Sequence, residues 1–428
     1  MSLKTKLGNV AALCLLSVGA DGYSAMDSQV SVGVSGEWID NVFYSSIDRR
    51  HDLVSELSLD LSLQSIQEVN DIALEYSFSH ENYLRDSFDN ANYMEGTGTF
   101  VIPLLPRRLS WNSEIASSIT LRDSLTPDNP DNRDQRNSAQ TGLDYFVVNT
   151  GRNQVSVNGN VSIVRFRESE INNSNRGSVD LSWSHAFSRR TNGGMTCSGE
   201  KVDFTEDDAD YETVVCQVNY ARQLANGAVS LDVGKRSVNP PTGRSTKGTS
   251  YTFDFSWAFV NSDLSVNVLR DITDTTVGLS GGDFTGGQGP IDINTDVRSL
   301  TVRKRAEARY NYILSGRDQF GVVVYRDSDD LYDSVLDTDR DGVDLNYTRA
   351  ISQSLSSNIT YSFVRTDYAD GSEFSEVDYE NVYNFSLSKA YSRRFQVTGM
   401  LEAQTRRAPT EIEEYEVYSV RAEANYTF

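Results

Sequence analysis

Long apolar runs are what this chain most conspicuously lacks. After its first 25 residues no stretch supplies the roughly 20 consecutive apolar residues that a membrane-spanning helix needs, which excludes a helical membrane protein. No sustained i, i+3, i+4, i+7 stripe occurs either, so a large helical core is excluded too. Histidine appears only three times, as His51, His80 and His185, too scattered to suggest a shared site; each reads as a strand-end or interface residue. There is no His-Glu-x-x-His pair, no Gly-x-Ser-x-Gly elbow and no phosphate-cradling glycine loop, and no enzymatic activity is expected. Basic residues are few beside acidic ones, 39 against 61, for a net charge of -22, and an acidic surface repels nucleic-acid phosphates.

What is present begins with an N-terminal signal. Lys4 and Lys6 precede an apolar stretch from Val10 to Val18, followed by small residues, the pattern of a secretory signal peptide over residues 1–20. Cleavage after Ala20 is preferred; cleavage after Ala25 places bulky Tyr23 at the minus-three position. The mature chain, 26–428, is expected to be a single exported domain, and Cys14 behind Leu13 does not fit a lipid-acylation site.

From about Gln29 onward the sequence is a succession of alternating runs. Leu57, Leu59, Leu61 and Leu63 alternate with Ser58, Asp60 and Ser62; Tyr251, Phe253, Phe255 and Trp257 alternate with Thr252, Asp254 and Ser256. There are about twenty such runs, many near the length a tilted strand needs to cross a bilayer. Every second connection is short, such as "NTGRN", "SRRT" and "SGRD", and those between are mostly longer. Prolines fall in connections or at run ends, as the missing ladder donor requires. A soluble β-sandwich also alternates, but it seldom needs twenty consecutive strands with loops long on one side and short on the other. The expected fold is all-β: a transmembrane antiparallel up-and-down barrel of about 20 strands, of the outer-membrane type, with short turns periplasmic and long loops extracellular.

The last run, "YSVRAEANYTF", alternates to the final residue. A closed barrel explains that order, because its last strand pairs with its first. Tyr426 and Phe428 resemble the aromatic C-terminal signature by which bacterial outer-membrane barrels are recognised for assembly, so barrel-assembly machinery is an expected partner.

The segment "GEWIDNVFYSS" after Val30, Val32 and Val34, and the repeated Ala-aromatic-Ser-Arg-Arg of "SHAFSRRTNG" and "SKAYSRRFQV", resemble the outer-membrane β-barrel porins of exopolysaccharide gene clusters. That resemblance implies passage or export of polysaccharide, with export proteins as partners and no catalytic residues.

Alternation also assigns a lumen face. It carries Glu56, Asp60, Glu75, Glu114, Asp144, Asp180, Asp232, Asp254, Glu402 and Glu423, with Arg122, Arg303, Arg305, Arg309 and Arg421 among them. A polar, net-acidic lining favours cations and neutral saccharide over polyanions. Two functions remain open: a saccharide pore, and a structural or adhesive barrel whose acidic loops bind a partner. The Gly-rich run from Val277 to Pro290 is the constriction candidate.

Acidic loops beside lipopolysaccharide are either solvated surface or carboxylates sharing divalent cations with its phosphates. "DTDRDG" places Asp337, Asp339 and Asp341 as in the first half of a Ca²⁺ loop, but Thr348 stands where the closing Glu belongs; a polar hairpin loop is the alternative, and no other cofactor is expected. Cys197 and Cys216 flank "TEDDAD" symmetrically, so a straight hairpin sets them opposite each other, as a disulfide or as two free thiols.

Overall fold

The computed structural model describes residues 27–66, 71–122, 126–205, 210–239, 245–274, 300–331, 337–368, 377–408 and 414–428. The signal-peptide reading of residues 1–20 and the Gly-rich constriction candidate lie outside them. Twenty strands fill almost all of it. The first ten are β1 (Asp27–Ile39), β2 (Asp52–Ile66), β3 (Asp71–Tyr83), β4 (Ala91–Leu105), β5 (Leu109–Leu121), β6 (Arg133–Asn149), β7 (Asn153–Phe166), β8 (Ser174–Ser188), β9 (Thr191–Phe204) and β10 (Tyr211–Gln223). The rest are β11 (Gly227–Asn239), β12 (Thr246–Ala258), β13 (Ser262–Asp274), β14 (Leu300–Ile313), β15 (Asp318–Leu331), β16 (Thr338–Ser352), β17 (Leu355–Tyr368), β18 (Val377–Ala390), β19 (Phe395–Arg407) and β20 (Tyr415–Thr427).

Each strand pairs antiparallel with its sequence neighbours, and β20 returns to β1 over Ser31↔Thr427 through Ile39↔Ser419. The Phe428 N–H donates to the Val30 carbonyl at 2.9 Å, which ties down the chain end. The sheet is therefore a closed up-and-down barrel. All short connections emerge at one end and all long ones at the other. Strands of 13 to 17 residues exceed the 9–11 needed for a tilted crossing, and the excess gives the barrel tall walls. Pro103 lies inside β4 but at a bulge near its end, where no ladder donor is required.

Period-two alternation decides which face is which. Val34, Leu57, Val179, Val218 and Leu401 are all at least half exposed and share the outer face, while Ser35, Glu56, Asp180, Gln217 and Glu402 share the inner one. An apolar outside around a polar inside is the inverse of a soluble sandwich and the pattern of an outer-membrane barrel.

The wall is not cylindrical at its long-connection end. The ladder between β4 and β5 stops at Gly96↔Ser117, although both strands continue. Beyond that point the β5–β6 tip folds into the lumen, so its outer face lies on the inner face of β3 and β4. Arg133, from the outer face of β6, bonds Glu81 on the inner face of β3 at 3.1 Å and lies 5.2 Å over the Tyr93 ring of β4. Gly96, with φ +148°, marks the divergence, a backbone state that L side chains rarely adopt.

A second fold-in occurs eight strands on. The β12–β13 ladder stops at Tyr251↔Arg270, and the β13–β14 tip turns inward. Ile272 and Val302, on its outer face, are buried against Val202, Phe204, Tyr211 and Val238 from the inner faces of β9, β10 and β11. Gly248 makes room: a Cβ there would meet Ile272 Cδ1 at 2.6 Å. Gly248→Trp is expected to displace this tip, read as new protease cleavage between β13 and β14 in the folded barrel.

The 40–51 connection also folds in. Val42 packs with Val54 and Tyr83 from the inner faces of β2 and β3. Tyr44, at φ +52°, sets its ring edge-on to Tyr415 at 5.2 Å. Burial and the negative charges of Asp128, Glu402 and Glu37 hold its hydroxyl well above the usual tyrosine range, so it stays a neutral donor.

Candidate functional site: the narrowed lumen

Where a ladder is interrupted, its freed backbone groups need partners. At β4 a side chain supplies them. Gln135 Oε1 accepts the Met94 N–H at 2.9 Å, and Gln135 Nε2 donates to the carbonyls of Met94 at 2.6 Å and Ser118 at 3.1 Å. Arg167 Nη1 donates to the Asn92 carbonyl at 3.0 Å. Asp134, buried beside Gln135, accepts the N–H groups of Arg167, Glu168 and Ser169 at 2.9–3.0 Å, anchoring the following connection. At β12 the Arg270 guanidinium bonds the Thr249 carbonyl. Both tips are thus held by side chains rather than by the sheet.

Of the fifteen charged residues assigned to the lumen by alternation, all but Arg122 lie at inward-register positions in the strands, in two kinds of surroundings. On β14–β20 they are paired. Arg305 contacts Glu307 at 2.6 Å and Asp327 at 3.1 Å, Arg309 contacts Glu307 at 3.2 Å, and Arg421 bonds Glu56 at 2.7 Å with Glu37 and Glu423 within 3.8 Å. Arg303 stands beside Arg305 in the recess described below, and Glu402 accepts the Asn384 amide at 3.2 Å. Along β2–β11 Asp60, Glu75, Glu114, Asp180 and Asp232 form no hydrogen bond or salt bridge among the described residues, whereas Asp144 and, on β12, Asp254 are held by asparagine amides. Arg122 follows β5 in the inward-folded tip.

Along the inner faces of β14 through β19, beginning at the β13–β14 tip, lies a recess of about 490 Å³. Its lining includes Arg303, Arg305, Arg340 and Arg406 with Asp327, Asp329, Asp344, Asp378 and Glu380, plus Tyr325 and Tyr368. Arg406 contacts the buried Asp378 at 2.5 Å, and Tyr368 donates to the same carboxylate at 3.0 Å. Arg305 lies 5.5 Å over the Tyr325 ring. Nearly balanced charges with two phenols offer donors and acceptors close together, suited to a ligand rich in hydroxyls.

Most of these recess residues escape a reading of the sequence. "DSDDLYDSVLDTDRD" reads as an acidic loop, yet β15 runs to Leu331 and β16 starts at Thr338. The candidate Ca²⁺ loop is corrected for the same reason. Asp339 and Asp341 sit in β16 and face outward, contacting Arg326 at 3.4 and 3.8 Å, with Arg365 at 3.8 Å from Asp341; Arg340 between them faces the recess. Asp337 precedes the strand, and no group of metal-ligating side chains occurs among the described residues. Continuing the strict alternation of β15 through the acidic run would have found Asp327 and Asp329.

Cys197 and Cys216 stand opposite each other on the outer face of β9 and β10, with Cα atoms 4.1 Å apart, and are joined as a disulfide. Met195 faces Val218 and Gly199 faces Val214 in the same register. With 19 residues of sequence separation the bond contributes about 3 kcal/mol at most, and less in a hairpin already held by its ladder. Thiol counting on unfolded, unreduced protein is expected to find no free thiol in the mature chain.

Closed twenty-strand topology, an apolar outside and a polar, charge-laced inside define a membrane-type β-barrel. No protein-family model matches the chain, and no curated protein does. Among solved structures it is similar to OccK2 (OpdF) of Pseudomonas aeruginosa, at 9% identity and TM-score 0.42 over 94% of this chain and 98% of that one. It is also similar to OccAB4 of Acinetobacter baumannii, at 10% and 0.40 over 95% and 99%, and to OmpT, an outer membrane protein of Vibrio cholerae, at 10% and 0.38 over 96% and 99%. At these values the likeness carries no weight beyond itself; the topology rests on the pairing registers.

Proposed function

We propose that this chain is an integral outer-membrane channel for saccharide, serving exopolysaccharide export, with its short turns in the periplasm and its long loops outside the cell. The observation that carries this reading is the recess beside the inward-folded β13–β14 tip: a polar pocket on the lumen side, bounded at one edge by an element that narrows the passage. Paired arginines and carboxylates present hydrogen-bonding groups in fixed directions with little net charge. Sugar hydroxyls can bridge such pairs without the desolvation cost of a bound ion. The five carboxylates along β2–β11 that have no partner among the described residues favour cations and exclude polyanions.

Lipid, lipopolysaccharide and the assembly machinery are the partners this reading requires, with polysaccharide-export proteins at the periplasmic mouth. Tyr426 and Phe428, whose rings meet edge-on at 5.0 Å on the outer face, are proposed as the assembly signal. Deleting Phe428 is expected to lower the heat-modifiable, folded fraction in cells while leaving refolding into detergent unchanged.

Reconstitution in planar bilayers tests the channel. Cation-preferring conductance that falls as neutral oligosaccharide is added supports it. No conductance, or clear anion selectivity, would leave a structural or adhesive barrel as the better reading.

A further inference from the structure

The two Ala-aromatic-Ser-Arg-Arg repeats lie at the mouth of the lumen rather than within it, although Arg189 and Arg190 also border a lumen-side pocket with Asp254 and Asn267. Both form turns at the short-connection end. Ser188 Oγ accepts the Arg190 N–H at 3.1 Å, and Ser392 Oγ accepts the Arg394 N–H at 3.1 Å, so each serine closes its turn and leaves two guanidinium groups projecting. The aromatic residue two or three positions earlier, Phe187 or Tyr391, is about two-thirds exposed. The β4–β5 turn repeats the arrangement with Leu104 and Leu105 before Arg107 and Arg108, the latter two also exposed.

Neither these six arginines nor Arg222, beside the β8–β9 turn, forms an ion pair among the described residues. The rim is thus basic on a chain of net charge -22. Arg189, Arg190 and Arg222 line one shallow groove of about 430 Å³ between neighbouring turns. Guanidinium groups match phosphate oxygens in charge and geometry. We infer that this rim is a binding surface for the phosphodiester headgroups of anionic phospholipid, with the outward apolar residues setting the depth at which the arginines meet them. The inference rests on the membrane reading above.

Lipid is favoured over other anions by placement. The six arginines come from three turns spread around the rim rather than from one patch that a single acidic protein would cover. Each turn also carries exposed apolar side chains beside its arginines, which suits the boundary between acyl chain and headgroup.

The test compares phosphatidylcholine vesicles with and without phosphatidylglycerol, using refolded full-length protein and the midpoint of its heat-modifiable transition. Wild type is expected to be stabilised by phosphatidylglycerol, and the gain to shrink as salt is raised. The variant R189Q/R190Q/R393Q/R394Q is expected to keep its midpoint in phosphatidylcholine and lose most of the gain, since each arginine near an anionic surface is worth roughly fivefold in partition. Should the variant fail to fold, wild type alone still decides by its response to phosphatidylglycerol and salt. Equal wild-type midpoints in both vesicles, or a variant that keeps the full gain, overturns the inference. So does a gain reproduced in phosphatidylcholine by inorganic phosphate, which indicates a simple anion site, or by polyglutamate, which indicates an acidic protein partner. Failure to insert into either vesicle overturns the membrane reading itself.

Discussion

R133A combined with Q135A is expected to release the β5–β6 tip from the lumen and raise single-channel conductance by about twofold or more, as a narrowed lumen widens. The magnitudes favour full release over loosening. Arg133 holds Asp128 at 2.5 Å and Glu81 at 3.1 Å with its side chain 19% exposed, and removing it strands two carboxylates. Breaking a buried pair costs about 3–5 kcal/mol, less here because some solvent reaches the site. Gln135 supplies three hydrogen bonds to backbone groups without ladder partners, worth about 1 kcal/mol each. About 5.5 kcal/mol takes a two-state equilibrium from one part in a hundred to ninety-nine, and the two losses together reach that range. Each single variant should give brief open events instead of a steady high level. A double variant with wild-type conductance would show that this tip does not narrow the path.

R406M should have the second-largest effect, on stability and saccharide handling together. Asp378 is only 5% exposed, and Arg406 is its one ion-pair partner among the described residues. Losing that partner leaves a buried charge, at about 3–5 kcal/mol. The midpoint of the heat-modifiable transition should fall, and half-block of conductance by oligosaccharide should require about tenfold more sugar, the equivalent of one charged hydrogen bond. The companion R406M/D378L separates the two effects. Restoring an apolar pair should recover the midpoint but not the block. Recovery of both would mean that the pair supports the wall and takes no part in recognition.

Alternation, proline placement and connection length carry most of the fold in the sequence, because a barrel strand facing lipid on one side and water on the other must alternate. Leu57, Leu59 and Leu61 leave no other assignment for Ser58 and Asp60. The inward tips are another matter. Their registers continue the same period, and only the chemistry on the outer face changes: Ser117, Arg133, Gln135 and Asn137 occupy positions where a lipid-facing strand carries apolar side chains. Polar residues at outward positions were the available sign that this wall leaves the membrane face. Ile272 and Val302 gave no such sign, since an apolar outward residue reads alike against lipid or against Val202 and Val238. The recess was hidden for a further reason. Arg406, Tyr368 and Arg340 come from three different strands, and their convergence depends on curvature that no local pattern encodes.

Tips that rest on the inner faces of other strands cannot dock before those strands exist. The β5–β6 tip rests on β3 and β4 and the β13–β14 tip on β9 through β12, all of which precede them, but the recess beside the second tip takes side chains from as far as β19, and the inward-folded 40–51 connection meets Tyr415 of β20. Maturation should therefore have two stages: the continuous ladders near the short turns close first, and the tips then settle into a finished enclosure. A species caught between them would run as a folded barrel on a gel while its tips were still cut by protease, and it would conduct more freely than the completed molecule.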